Sequence, residues 1–490
     1  MESNQAVDQL RADEQITPTS STALRKIATL PEPRRSLILG HTFQIKTEIF
    51  HQQLEQWSRE LGPYYRITVG RQEYLVVSEH QAIARALRER PDVYSRTTRL
   101  TDVFKDMHLK VGLFGAEGDV WRKQRRMVMS AFDPSHVKAY FPTMKKVTDR
   151  LESRWKKSPG TDIDLTAELM RFTVDTITGL AFGQDVNTLE SGEDIIQAHL
   201  DKIFPALFKR ILSPVSYWRY FRLPSDRALD RSIAEVTAAI DGFIVQSRNR
   251  IRDNPALRND PSNLLEAMIN AADQGDSGLN DDDVAGNVIT MLLAGEDTTA
   301  NSIAWMLALL WANPTTLEKL QSEVREKFSG QTEYSMEHLN ALDYLDACIN
   351  ESMRLKPVAP FLVLQALSET TIGDVEIPVD THVFTLMRRD SVEDEFVPDA
   401  TQFNPQRWLE NGQPGPQGNA AKRISMPFGA GPRICPGRYL ALLEMKIAVV
   451  MLLTRFDILD ISAPNSATAQ EHMAFTMVPV GLKMRLKSRE

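Results

Sequence analysis

The chain has 490 residues, with 57 Lys plus Arg against 65 Asp plus Glu, a formal net charge of -8, and only two cysteines. Two cysteines exclude a disulfide framework and a four-cysteine zinc site, and the negative balance gives no reason to expect a nucleic-acid binder. With 42% hydrophobic and 25% charged residues, global disorder is excluded, and length alone suggests about three domains of ~150 residues.

The first 30 residues form a polar tail in which Asp8, Arg11, Asp13 and Glu14 interrupt any apolar run, so no secretory segment is expected. Leu30-Pro31-Glu32-Pro33 then stiffens the chain ahead of Leu37-Ile38-Leu39-Gly40, an entry into a folded body. Strand patterns follow at Tyr64 to Val69 and Tyr74 to Val77. Helical segments are expected at Trp121 to Ala131, Val284 to Trp311, Thr315 to Phe328 and Leu339 to Leu355. Further strands are expected at Thr381 to Leu386 and Gly481 to Leu486. Asp273 to Asp283 and Glu410 to Asn419 read as loops. The longest apolar runs, Ala304 to Ala312 and Ile447 to Leu453, fall short of the ~18 residues of a membrane span and read as buried helix. With no linker or repeat, the expectation is one large domain over 31–490, mainly α with a minor β-sheet, soluble and cytoplasmic, with peripheral membrane contact left open.

The sharpest local feature is Phe428-Gly429-Ala430-Gly431-Pro432-Arg433-Ile434-Cys435-Pro436-Gly437, with a helical run from Arg438 to Leu453 behind it. Gly and Pro build a tight loop that presents a thiol and backbone N–H groups just before a helix N-terminus, and both favour a thiolate. A thiolate with neither a second cysteine nor a nearby histidine suits axial ligation of haem iron. A buried structural cysteine is the bland alternative, and a nucleophile the other, although no histidine base lies in this stretch. The five fixed positions of Phe-x-x-Gly-x-Arg-x-Cys-x-Gly match by chance at a rate on the order of 10⁻⁴ over such a chain.

Three other constellations carry chemistry. Glu351 and Arg354 lie three residues apart on one helix face, and Phe403-Asn404-Pro405-Gln406-Arg407-Trp408 supplies a second Arg downstream. Ala294-Gly295-Glu296-Asp297-Thr298-Thr299 interrupts the longest helix, where a Gly costs ~1 kcal/mol relative to Ala. It marks close packing against something flat, a side-chain oxygen replacing a backbone bond, or incidental polarity. Trp121-Arg122-Lys123-Gln124-Arg125-Arg126 carries four cations in six residues, ordinarily a solvated helix face.

Taken together, these motifs resemble those of the cytochrome P450 superfamily over roughly Pro31 to Leu486. The resemblance implies haem b, with Cys435 as the iron ligand and Phe428, Arg433 and Gly437 in the loop around it. It implies that Trp121 and Arg125 contact the haem propionates. It implies that Ala294 and Gly295 let the long helix approach the haem face. Thr298 would hold dioxygen and its water while Asp297 relays protons, with Glu296 a possible sharer of the relay. Glu351, Arg354 and Arg407 would form a buried charged triad of structural purpose. Cys348 is read as core. The sequence departs from the family at Val363-Leu364-Gln365, where many members carry a basic propionate ligand, and at Arg388, where a His is common.

The implied reaction inserts one oxygen atom of O2 into a lipophilic substrate. A peroxide-driven or rearranging enzyme and a non-catalytic haem sensor are the alternatives that the Asp297-Thr298 pair disfavours. Nothing after Cys435 has the length of a reductase, so electrons are expected from a separate ferredoxin, flavodoxin or reductase. Arg122, Lys123 and Arg126 would offer that donor a positive dock. The pocket is expected between the loop Tyr94 to Gly118, the stretch Leu200 to Leu223, Val358 to Leu364 and Met473 to Val478. Phe104, Met107, Phe114, Phe204, Phe208, Ile289, Met291, Phe361, Leu362 and Phe475 are its candidate walls. Tyr217 to Arg222 is a candidate entrance lid or membrane-surface contact.

Overall fold

A computed structural model describes residues 24–36, 39–183, 187–191, 195–213, 215–328, 335–409, 420–464 and 469–489. Most of the polar tail, Leu37 and Ile38 of the entry segment, the loop from Glu410 to Asn419 and the Phe204 side chain lie outside the described residues. The longer helices are α1 (Phe50–Leu61), α2 (His80–Arg88), α3 (Thr98–Asp106), α4 (Gly118–Ala131), α5 (Pro134–Lys156), α6 (Leu165–Phe182), α7 (Ile195–Leu212), α8 (Pro224–Asp253), α9 (Leu264–Ala272), α10 (Asp281–Ala312), α11 (Pro314–Phe328), α12 (Asp343–Leu355) and α13 (Arg438–Arg455). The mainly helical expectation with a minor β component is met.

Strands, numbered in chain order, form four small sheets among the described residues. β2 (Tyr64–Val69), β3 (Gln72–Val77), β9 (His382–Leu386), β6 (Phe361–Ala366) and β4 (Tyr94–Arg96) make one sheet in the order β2-β3-β9-β6-β4. Only β3 and β9 run parallel there, in the register Tyr74↔His382 to Val77↔Thr385. β1 (Arg25–Lys26) pairs with β8 (Val375–Ile377) and β8 with β7 (Thr370–Ile372). β10 (Phe456–Ser462), β13 (Lys483–Ser488) and β5 (Ile163–Asp164) form another sheet, and β11 (Glu471–Met473) with β12 (Met477–Pro479) a lone hairpin. β-Branched and aromatic residues such as Tyr64, Tyr65, Ile67 and Thr68 suit a half-buried pleat.

α10 is the axis of the helical core, at 32 residues about 48 Å long. Its start is set by a capping box: the Asn280 side chain accepts from the Asp282 and Asp283 amides, and Asp283 accepts from the Asn280 amide. Asp281, Asp282 and Asp283 therefore belong to the helix and not to the loop expected through Asp283, and their charges favour its positive end. Next to it, Gly286 and Gly112 allow the chain after α3 to cross α10 in backbone contact. A Cβ on Gly112 would sit 2.1 Å from the Gly286 oxygen. The Leu113 amide then donates to the Asn287 side chain at 2.9 Å, fixing the crossing.

Two expectations need correction. The stretch Leu339 to Leu355 is broken between Met336–Asn340 and α12, because Glu323 of α11 accepts the Tyr344 and Leu345 amides at 2.8 and 3.0 Å and caps α12 from outside. The region Tyr94 to Gly118 is not a bare loop; it holds β4 and α3. Both apolar runs read as buried helix do lie in buried helix, within α10 and α13. Among the described residues no helix is long and apolar enough to cross a membrane.

Candidate functional site

The cysteine loop is shaped by its glycines. Gly429 and Gly431 have φ of 73° and 70°, in the left-handed region that disfavours other residues. A Cβ on Gly431 would also lie 2.5 Å from the Leu87 carbonyl at the end of α2. The Cys435 amide closes the loop onto the Phe428 carbonyl at 3.0 Å, and the Phe428 ring packs on the main core. Gly437 caps α13 through its carbonyl, and its amide donates to the Cys435 sulfur. Burial pushes the Cys435 thiol up, whereas that amide, Arg125 and Arg438 favour the thiolate.

Around this loop the structure gathers more cations than the sequence suggested. Trp121 is buried, with the Arg433 guanidinium 4.7 Å over its ring. Arg433 donates to the Ala116 carbonyl at 2.8 Å and closely to Glu117, while its Nε has no partner. Beside it stand Arg90, whose Nε and Nη2 are buried without partners, and Arg96, whose Nε is likewise unsatisfied. Burial and the neighbouring Arg433 bring Arg90 down to about 10. Burial, then Arg90 and Arg433, hold Arg96 well below the usual arginine range. Glu117 is the acid acting on all three. Arg125 lies near enough to Cys435 to feel its charge, and burial lowers it.

Unsatisfied guanidinium atoms grouped around a single carboxylate suit an anionic ligand. The resemblance placed Trp121 and Arg125 at such a ligand and Arg433 in the loop around Cys435; Arg90 and Arg96 were not foreseen. Next to Gln365, where the basic residue common in the family is absent, the adjacent strand carries a cation: Arg96 pairs with Leu364 across β4 and β6. Gln365 is occupied structurally, accepting the Thr98 amide at 2.8 Å and donating to Asp380 at 3.0 Å. Only the pairing of two distant strands reveals this substitution, so no local motif announces it.

On α10 the small pair divides. Ala294 is exposed in the middle of a helix whose neighbours Met291, Leu292, Leu293, Thr299 and Ala300 are buried, so it faces open space inside the fold. Gly295 points the other way: a Cβ there would meet Ile177 of α6 at 3.2 Å. Its smallness serves helix packing, and Ala294 alone of the two presents a flat surface to the cavity. The Thr298 hydroxyl donates to the Ala294 carbonyl at 2.6 Å. The Asp297 carboxyl turns to other partners, accepting from Asn301 Nδ2 at 2.7 Å and closely from Thr476 Oγ1 on the turn between β11 and β12. Burial raises Asp297 above the usual carboxylate range against the pull of these two donors. Glu296 is buried on the α6 side, its carbonyl accepting from Thr173 at 2.9 Å.

Deeper still, α10 meets α13 through Thr299 and Glu444. Complete burial pushes the Glu444 carboxyl up to about 8, against the bond from Thr299. The charged triad forms as expected. Glu351 accepts from Arg354 at 2.7 and 2.8 Å, from Arg407 at 2.9 Å, and also from the Trp408 indole and the Asn404 amide. Arg388 has its own role: it donates to Glu55 through two 2.8 Å bonds and to Glu471 at 2.8 Å. Cys348 is fully buried, and burial holds its thiol high and protonated. Of the expected walls, Phe114 approaches Phe475 at 5.9 Å and lies under Arg96, whereas Phe361 packs edge-on against Phe50 and Phe384.

Residues 30–486 match the Cytochrome P450 family. The chain is 26% identical to the Arabidopsis thaliana Protein LUTEIN DEFICIENT 5, chloroplastic, covering 85% of this chain and 71% of that one. It is 27% identical to a bifunctional cytochrome P450/NADPH–P450 reductase of Gibberella moniliformis, covering 96% of this chain but only 41% of that protein. The crystal structure of the cytochrome P450DA heme domain superposes with a TM-score of 0.81 at 23% identity, covering 96% of this chain and 99% of that one.

Proposed function

The chain belongs to the cytochrome P450 family, whose cofactor is haem b, and from that premise we propose that it is a monooxygenase placing one oxygen atom of O2 into a lipophilic substrate. Cys435 is assigned as the iron ligand, with Arg90, Arg96, Arg125, Arg433 and Trp121 holding the propionates. The haem, when bound, supplies dioxygen binding and its reductive cleavage. The protein's share is to bind the substrate, exclude water and deliver protons.

The observation that carries the reading is the acid–alcohol pair next to exposed Ala294: half-buried Asp297, its proton affinity raised by desolvation, beside Thr298. Thr298, free to trade its bond to the Ala294 carbonyl for an incoming acceptor, presents a hydroxyl to the cavity. Asp297 passes a proton to it and is reloaded from solvent. A carrier or sensor has no task for such a pair. The expected walls Phe104 and Met107 are buried in the core, and the partly exposed Phe114 and Phe475 favour an apolar substrate over a charged one.

For the electron donor, α4 remains the proposed dock, with a correction to its charge. Arg122 is already paired with Asp119 at 2.7 Å and with Asp92, so the remaining attraction resides in Arg126 and Lys123. An acidic carrier or a reductase domain would both fit this face.

The test has two stages. Reduced protein under carbon monoxide reports whether thiolate ligates the iron, and Cys435→Ser must abolish that signature. A screen of fatty acids, terpenoids, steroids and polyketides by haem spin-state shift then identifies substrates, whose presence must accelerate O2 consumption. A thiolate signature with no substrate-dependent O2 uptake overturns the monooxygenase reading.

A further inference from the structure

We propose that Thr476 is the positioning residue of the proton-delivering acid: its hydroxyl, fixed by the β11–β12 hairpin, sets where the Asp297 carboxyl stands beside Thr298. This rests on the reading of Asp297 as proton source. Thr476 Oγ1 donates to Asp297 Oδ2 while Asn301 Nδ2 donates to Oδ1, so both oxygens are held at once. Asn301 lies one turn along the same helix and moves with it. Thr476 comes from a different element, and it alone of the two donors locates the carboxyl relative to the rest of the cavity.

The hairpin is built to hold still. The Met477 amide donates to the Val358 carbonyl at 2.8 Å, and the Trp305 indole of α10 donates to the Met477 carbonyl at 3.0 Å. At its base, Glu471 accepts from His51 and Gln52 at 2.7 Å, from Arg388 at 2.8 Å and from Lys356 at 2.5 Å. Thr476 itself is buried. A donor whose own location is set by neighbours on both strands can fix a carboxyl within a few tenths of an ångström, as proton transfer to an adjacent hydroxyl demands.

The titratable groups on the elements packed here are occupied elsewhere. Asp175 of α6 accepts the Thr188 and Leu189 amides, and Glu444 of α13 is bonded to Thr299. Glu351 of α12 is tied to Arg354 and Arg407, and Glu471 is held as described. On α10 itself, Glu296 is buried and is not among the groups that act on Asp297. Burial, Thr476 and Asn301 are what act on Asp297. Both donors favour the ionised form, so loss of the Thr476 hydroxyl must raise the proton affinity of Asp297 further.

The experiment compares Thr476→Val, Thr476→Ala, Thr476→Ser and Asp297→Asn in the haem-loaded protein. Infrared difference spectra against pH identify the protonated Asp297 band as the one Asp297→Asn removes. Thr476→Val is expected to move its midpoint upward by about one to two pH units, the equivalent of one charge-assisted hydrogen bond. Thr476→Ala, which cannot crowd the turn, must give the same shift, and Thr476→Ser must restore the original midpoint. With electrons from a surrogate ferredoxin and its reductase, the fraction lost as hydrogen peroxide should rise several-fold in the two variants lacking a hydroxyl and return in Thr476→Ser. If Asp297→Asn diverts electrons to peroxide while both hydroxyl-free variants keep the original midpoint, Thr476 does not position the acid. If Asp297→Asn leaves the peroxide fraction unchanged, the reading of Asp297 as proton source is itself wrong, and this proposal goes with it.

Discussion

Replacing Arg96 by Met should have opposite effects on the apoprotein and the haem-loaded protein. Arg90, Arg96 and Arg433 share one carboxylate, Glu117, so three positive charges against one negative leave two uncompensated. An unpaired buried cation costs roughly 3 kcal/mol or more. Arg96→Met removes one, and an unbranched apolar chain keeps contact with the Phe114 ring now 3.7 Å below the guanidinium. The lost cation–π attraction offsets about 1–2 kcal/mol of that relief. The apoprotein should therefore gain about 1–2 kcal/mol and melt a few degrees higher. In the holoprotein the same change deletes a charge-assisted bond to a propionate, about 1.5–3 kcal/mol, so haem should leave about 10- to 150-fold faster. Transfer of haem to excess apomyoglobin measures the second effect, and melting of protein expressed without haem the first. An apoprotein that melts lower, with haem loss unchanged, would show that Arg96 is an ordinary structural cation and refute the charge argument.

Three further outcomes follow from named contacts. Glu351→Ala leaves Arg354 and Arg407 without their carboxylate and orphans the Trp408 indole, so a loss of about 3–5 kcal/mol is expected; pyridine-haemochrome assay should find little haem, and normal content would contradict the triad's role. Glu444 has a folded-state pKa near 8 against an ordinary 4.5, so the proton it holds stabilises the fold fully below pH 4.5 and that stability is lost as pH rises to 8. Glu444→Gln, which still accepts from Thr299, should match the parent's melting temperature at pH 5 and exceed it at pH 8 by the equivalent of a few kcal/mol; a gap that does not change with pH would count against a buried neutral acid. Charge reversal at Arg126 and Lys123 should slow electron transfer from an acidic donor several-fold and flatten its salt dependence, whereas reversal at Arg122, already paired with Asp119 and Asp92, should do less; equal effects at all three would remove α4 as the dock.

What the sequence made legible was whatever is local. The cysteine loop needs left-handed glycines, a proline turn and a helix start within ten residues, so its shape is written in adjacent letters. The Glu351–Arg354 pair sits on one helix face, and its third member shares a short segment with Trp408. Strand Tyr64–Val69 carries its own β-propensity. The residues missed were those brought in by long-range pairing. Arg96 reaches Arg90 and Arg433 because β4 adds to β6, some 270 residues away, and Thr476 reaches Asp297 because the hairpin folds back onto α10. The small pair was misjudged for a related reason: composition shows that Ala294 and Gly295 are small, but only packing against Ile177 tells which of them faces the cavity.

Completeness of charge separates scaffold from site in this fold. The Glu351 triad and the Arg388 cluster are buried like the arginines around Glu117, yet their guanidinium groups are satisfied. Arg354 spends its remaining donors on the carbonyls of Ser391, Ala400 and Gln402, and Arg388 and Lys356 balance Glu55 and Glu471. A cavity of about 680 Å³ opens beside that cluster, lined by Trp305, Trp311, Lys356 and Arg388 among others, and none of its lining side chains buries an unpartnered polar atom. Nothing in it calls for a charged ligand. Arg90, Arg96 and Arg433 differ in their clustering: three guanidinium groups with unpartnered buried Nε atoms stand within one another's field and share one carboxylate, Glu117, an excess of positive charge that an anionic ligand would balance. Asp297 shows the same logic for protons. Its carboxyl accepts from two neutral donors and from no cation, so desolvation still raises its proton affinity, where an arginine in place of Asn301 or Thr476 would have favoured the carboxylate outright.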